Sequence, residues 1–226
     1  MATSKTREKI LNTSLRMFNE KGERNVTTNH IAAEAGISPG NLYYHFRNKN
    51  DIVYDLFLRY RAQVEQFLKV PDRNLSIEDK TVYFEEIFRS LWDYRFIHFD
   101  LQHLLTESPE LRKAYGQFAG RAMQQARYLF KRMGESGIVV MTKEQIDAVV
   151  LNIWVVSTSW IRFLHTTALH AEGLECLTEP MLRRGIYQII SLDEPYLTPD
   201  AKQKMAAVKK QYLGVEDEAF YSLFIQ

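Results

Sequence analysis

Apolar positions recur at helical spacing through most of the chain. Ile10, Leu11, Leu15 and Phe18, with Ser14 among them, draw one stripe over residues 6–20 before Gly22 stops it. Ile31, Ala32 and Ala35 mark a short second helix that Thr27 or Thr28 can cap and that Gly36, free to turn left-handed, can end. Ser38 caps a third, over about 39–46, with Pro39 at the first position, where a missing N–H costs nothing. Asn48 opens a fourth over 49–68, carrying Ile52, Val53, Leu56, Phe57, Tyr60, Val64, Phe67 and Leu68 until Pro71 halts it. Beyond it, Ser76 starts a helix through Tyr83, Phe84, Ile87, Phe88, Leu91 and Trp92, and a shorter stretch spans 99–105. Ser108 and Pro109 repeat the cap-then-proline signal for a helix to about Met133, closed by Gly134 and Gly137. Thr142 and Gln145 form a capping-box pattern at the head of 143–170, the most apolar segment of all, and 180–191 and a lysine-rich 200–212 follow. The only short β-branched run is 138–141, so the pattern predicts an all-α protein.

A chain of 226 residues fits a small module joined to a larger one, and 46% hydrophobic with 25% charged residues is the balance of a globular protein. The most apolar run, 146–164, is interrupted by Asp147, Asn152 and Arg162, which predicts a buried helix and no membrane span. The N-terminal residues lack the apolar run and small-residue cleavage site of a secretion signal, and Cys176 is the single cysteine; both predict a cytoplasmic protein without an internal disulfide. Net charge is +1 overall, but residues 1–49 hold eight basic against four acidic groups, and the remainder 21 against 24. A basic head on a mildly acidic body suits a polyanion partner.

Residues 27–46 have the parts of a helix-turn-helix: two short helices, a glycine turn, and small residues where the helices cross. Ala32, Ala35 and Ile37 fit the crossing, and Leu42 and Phe46, four residues apart, fit the buried face of the third helix. Pro39, Gly40, Asn41, Tyr43, Tyr44 and His45 are left outside. In a DNA groove a tyrosine hydroxyl can bond a phosphate and its ring can pack on a thymine methyl, while Gly40 lets the backbone come close. The competing readings are that Tyr43 and Tyr44 cover the first helix, that His45 is a local cap and that Lys49 is a solvated charge.

The run Val-Thr-Thr-Asn-His-Ile-Ala-Ala-Glu-Ala-Gly-Ile-Ser-Pro-Gly-Asn-Leu-Tyr-Tyr-His-Phe-Arg-Asn-Lys, residues 26–49, resembles the TetR family of bacterial repressors. The likeness covers about residues 6–60. It implies a three-helix DNA-binding module over 1–50 and a larger helical dimerisation and effector-binding domain over 51–226. It further implies that Thr28, Ser38, Gly40, Asn41, Tyr43, Tyr44, His45 and Lys49 contact DNA, with Tyr43, His45 and Lys49 on phosphates and Asn41 and Tyr44 nearest to bases. Pro39 replaces a residue that is often basic in the family, so the half-site sequence cannot be borrowed from relatives.

By the same likeness the protein is a homodimer on a palindromic double-stranded operator, released by a small-molecule effector; the fourth helix, which touches both modules, is the natural lever. The helices at 143–170 and 180–191 are apolar enough to need cover on several faces, from a second subunit or from within one. Trp92, Phe96, Phe118 and Trp154 are candidate linings for an effector pocket, although an aromatic at helical spacing is more often plain core. Neither His98, Asp100 and His103 nor His165, His170, Glu172 and Cys176 has the spacing of a metal site, and no cofactor motif or catalytic constellation stands out. An alternative to the effector is a protein partner held by the aromatic tail, residues 220–225.

Overall fold

A computed structural model describes residues 2–167 and 177–213 of the chain. Within them run eleven α-helices and no strand; the one antiparallel bridge, Val139 with Leu197, is all that the β-branched run at 138–141 forms. The helices are α1 (Ala2–Lys21), α2 (Thr28–Glu34), α3 (Pro39–His45), α4 (Lys49–Phe67), α5 (Ile77–Asp93), α6 (Arg95–Phe99), α7 (Leu101–Glu107), α8 (Pro109–Glu135), α9 (Lys143–Thr167), α10 (Glu179–Asp193) and α11 (Pro199–Leu213). Short 3-10 turns occupy Glu23–Asn25 and Glu194–Tyr196. One expected element differs. The single stretch expected at 99–105 is two short helices, because Asp100 leaves the helical region at φ −118°, ψ 24° and pairs with Arg24 at 3.1 Å.

The chain forms two compact units, one of Met1–Gln63 with Asp93–Phe118 and the other of Val64–Trp92 with Ala119–Gln226. The first is built on the stripe read from α1. Ile10, Leu11, Ser14 and Phe18 are buried with Val26, Ile31, Ala32, Ala35, Leu42 and Phe46, and with Ile52, Leu56 and Phe57 of α4. Ser14 does not violate this apolar face, since its hydroxyl donates to the Ile10 carbonyl at 2.8 Å. The segment from Asp93 onward is stitched to α1 by Asn19, whose amide donates to the Asp93 carbonyl at 2.7 Å and accepts from the Phe96 N–H at 3.1 Å. Phe96 itself stacks at a tilt on Phe18, 5.3 Å between centroids.

The second unit packs α5, the later part of α8, and α9 to α11. Its centre holds Phe84, Phe88, Leu129, Phe130, Ile161, Leu164, Leu182, Ile186 and Ile190. A buried ion pair joins Lys80 of α5 to Asp193 at the end of α10; burial pushes the Asp193 carboxyl up, and Lys80 opposes that push. Helices α9 and α10 approach closely because Gly185 has no side chain: a Cβ there would lie 2.7 Å from the Trp160 ring. The indole N–H of Trp160 donates to the Met181 carbonyl at 3.1 Å, fixing that ring across α10.

Helix α9 is long and apolar enough, by length and composition, to cross a membrane, yet little of it is buried. Only Val149, Val150, Ile161 and Leu164 are fully covered, whereas Leu151 and Val155 are 54% and 51% exposed and Phe163 is exposed as well. The expected buried helix is therefore buried on one side only within a single chain. The last residues of the expected 143–170 helix, with His170, Glu172 and Cys176, lie outside the described residues, as does the aromatic tail.

Candidate nucleic-acid interface

The geometry around α2 and α3 follows from their ends. The Thr27 hydroxyl accepts from the His30 N–H at 3.2 Å while His30 Nδ1 accepts from the Thr27 N–H at 3.4 Å, a reciprocal cap that fixes the start of α2. The turn between the helices passes through Gly36 at φ 61°, a left-handed value that a side chain would strain, and the Ile37 N–H closes back on the Ala32 carbonyl at 3.0 Å. Ser38 then accepts from the Asn41 N–H at 3.2 Å, and Pro39 begins α3. Leu42 and Phe46 are buried, as their spacing predicts, and the guanidinium of Arg7 lies 5.0 Å over the Phe46 ring while pairing with Asp55.

The outer surface of α3 carries what its buried face does not. Gly40 and Asn41 are exposed, Tyr43 is 50% exposed and Tyr44 76%. Tyr44, so exposed, does not fold back onto α1; its ring packs edge to face on His45, 5.2 Å between centroids. Tyr43 reaches across the turn, and its hydroxyl lies 3.0 Å from that of Thr28. Residues from α2 and α3 thus meet on one surface. A Cβ at Gly40 would find nothing closer than the Ser38 hydroxyl at 4.0 Å, so the fold itself does not require glycine there.

Lys49 stands differently. Its ammonium donates to the Glu23 carbonyl at 3.0 Å and pairs with Glu23 Oε1 at 2.7 Å. Glu23 is 3% exposed and Lys49 keeps 27% of its side-chain surface. Glu23 sits in a charged stretch after Gly22, where nothing local in the sequence signals burial. Other cations of the basic head are also paired: Arg7 with Asp55, Arg16 with Glu34, Arg24 with Asp100 and Arg47 with Asp51.

The four aromatic pocket candidates lie in separate surroundings. Phe118 is fully buried among Phe57, Tyr60 and Tyr115 in the first unit, where burial also pushes the Tyr115 hydroxyl up to about 12. Phe96 is core beside Phe18, and Trp92 and Trp154 belong to the second unit, each half-buried. An apolar cavity in the second unit is lined by Phe88, Leu91, Val156, Ser157 and Trp160 among others, and by none of those four. At ≈ 10 Å³ it has room for about one water molecule. No group of three histidine, cysteine or acidic residues suited to a metal occurs among the described residues; His98 is buried, with Nε2 3.1 Å from the Tyr60 hydroxyl.

Two short capped helices at a glycine turn, the second presenting an open polar and aromatic face, define a helix-turn-helix DNA-binding regulator. The family model for bacterial regulatory proteins of the tetR family matches residues 10–56, and the model described as a bacterial transcriptional repressor matches residues 59–205. The chain belongs to the TetR family. A TetR-family transcriptional regulator from Marinobacter aquaeolei VT8 is 44% identical over 91% of this chain and 98% of its own, with a TM-score of 0.82. A transcriptional regulator from Saccharomonospora viridis in complex with choline is 20% identical over 83% of this chain and 96% of its own, with a TM-score of 0.62, a likeness of fold alone. An HTH-type transcriptional regulator of Staphylococcus aureus strain USA300 is 35% identical over 66 residues, 26% of this chain; the match spans 36% of that relative's length. The family and these relatives are regulators of transcription and not enzymes.

Proposed function

We propose that the protein is a homodimeric, cytoplasmic repressor that binds a palindromic operator through α3 and leaves it when a small effector binds. In this division residues 1–50 read DNA and 51–226 dimerise and take the effector. The observation that carries the DNA half of the reading is the outer surface of α3, where Asn41 and Tyr44 stand exposed one helical turn apart with Tyr43 and Thr28 joined beside them. Asn41 and Tyr44 face base edges. The Tyr43 hydroxyl, Thr28, Ser38 and His45 take phosphates, Ser38 keeping its own O–H free to donate while it accepts from Asn41, and Gly40 lets the backbone approach. Lys49 is the remaining phosphate donor, since its ammonium carries three N–H groups and Glu23 engages two of them.

The dimer is supported by α9. Leu151 and Val155, one helical turn apart and each more than half exposed, offer hydrocarbon to solvent, and a second copy related by a two-fold axis covers it with the same surface. The effector follows from the family, and it must bind the DNA-incompetent state more tightly than the competent one. Trp92 and Trp154, both half-buried in the second unit, remain its candidate contacts, whereas reaching Phe118 within the first unit requires displacing Tyr60 and Tyr115. Helix α4 contributes residues to both compact units, which supports its role as lever. Selection of bound DNA from a random pool by the full-length protein tests the reading. The expected product is an inverted repeat with half-sites about 34–36 Å apart, and recovery of no enriched sequence, or of a single asymmetric site, overturns it.

A further inference from the structure

Lys49 and Glu23 lie 26 residues apart in sequence, and their contact has no part in closing either helix of the reading head. Glu23 Oε1 takes the ammonium, whereas Glu23 Oε2 is buried without a hydrogen bond and has His103 Nε2 3.9 Å away. Arg24, next in the chain, is held by Asp100. A buried carboxylate is costly unless paired, so Glu23 keeps its hold on Lys49.

We propose that Glu23 is a positioning residue and internal counter-ion for Lys49, lowering the head's sequence-independent affinity for DNA. The inference rests on the assignment of Lys49 to a backbone phosphate. Glu23 engages two of the three ammonium N–H groups and aims the third, so Lys49 gives the phosphate a hydrogen bond. The carboxylate cancels its charge, so that bond displaces no counter-ion. Affinity for any DNA then depends less steeply on salt than the number of basic contacts suggests, and discrimination rests more on α3.

The test measures binding of the full-length protein to its selected operator and to a scrambled duplex, across 50–200 mM salt at pH 8, where an ordinary histidine is neutral. Glu23→Gln keeps the shape and the acceptor but removes the charge. The expected result is a log–log salt slope steeper by about 0.9 per subunit, equal on both duplexes, with scrambled DNA bound several-fold more tightly at 50 mM. The double variant Glu23→Gln with Lys49→Gln removes both charges and leaves no unpaired carboxylate; it is expected to bind less tightly than the unaltered protein with the same slope, the gain seen in Glu23→Gln alone being abolished. A slope unchanged by Glu23→Gln, or one lower by about 0.9 per subunit in the double variant than in the unaltered protein, overturns the proposal. The double variant decides the matter even if Glu23→Gln alone fails to fold, which thermal melting shows. Failure of the unaltered protein to prefer operator over scrambled DNA would instead sink the DNA-reading assignment beneath it.

Discussion

Helices α3 and α9 both expose apolar side chains, yet of different chemistry. On α3 the exposed rings of Tyr43 and Tyr44 carry hydroxyls, Asn41 adds an amide, and Leu42 and Phe46 take the burial the helix needs to stay folded. On α9 Leu151, Val155 and Phe163 offer hydrocarbon without a hydrogen-bonding group, and the covered side keeps four buried residues. A groove in DNA rewards the first kind of surface, because its edges and phosphates are polar and its thymine methyls are not. Only another apolar surface rewards the second. Exposure alone does not distinguish the two surfaces; the polar atoms their exposed side chains carry do.

The sharpest way to break this contrast is to charge α9. Replacing Leu151 and Val155 together by glutamate sets like charges against each other across a two-fold interface, at a cost of several kcal/mol. Sedimentation is expected to show monomers and operator binding to fall at least about 100-fold, since a lone head has half the contacts. Because neither side chain is in the subunit's core, the melting curve of the monomer should stay cooperative. A dimer that persists would move the interface elsewhere. Next in size is Tyr44→Ala, which should weaken operator binding by about 1.5–2.5 kcal/mol, roughly 10- to 70-fold, with dimerisation and scrambled-DNA binding unchanged. The Glu23→Gln effect is the smallest and has the opposite sign: stronger binding without regard to sequence.

How much of this could be read from the chain differs between the two surfaces. The reading head is written in local signals: Thr27 and Ser38 cap, Gly36 turns, Pro39 starts α3, and the four-residue spacing of Leu42 and Phe46 marks its buried side. Tyr44 follows from these as an outward residue. Glu23 does not, because its partners Lys49 and His103 arrive from other helices. Nor does the break at Asp100, which Arg24 holds across the fold. Helix α9 was legible as a helix from its Thr142 and Gln145 cap, where the Gln145 side chain accepts from the Thr142 N–H at 2.8 Å. Its two sides were not, since apolar residues nearly all round give periodicity nothing to separate. Gly185 makes the division, by admitting the Trp160 ring and so fixing which side of α9 packs on α10.

The central claim is that the outer surface of α3 lies in the DNA groove, and a photoreactive benzoylphenylalanine in place of Tyr44 tests it most directly. Irradiated on the selected operator, the full-length variant is expected to crosslink to bases at one position in each half-site, and not at all to a scrambled duplex. Operator binding that is retained with crosslinks only to protein, or spread evenly along the DNA backbone, would contradict it.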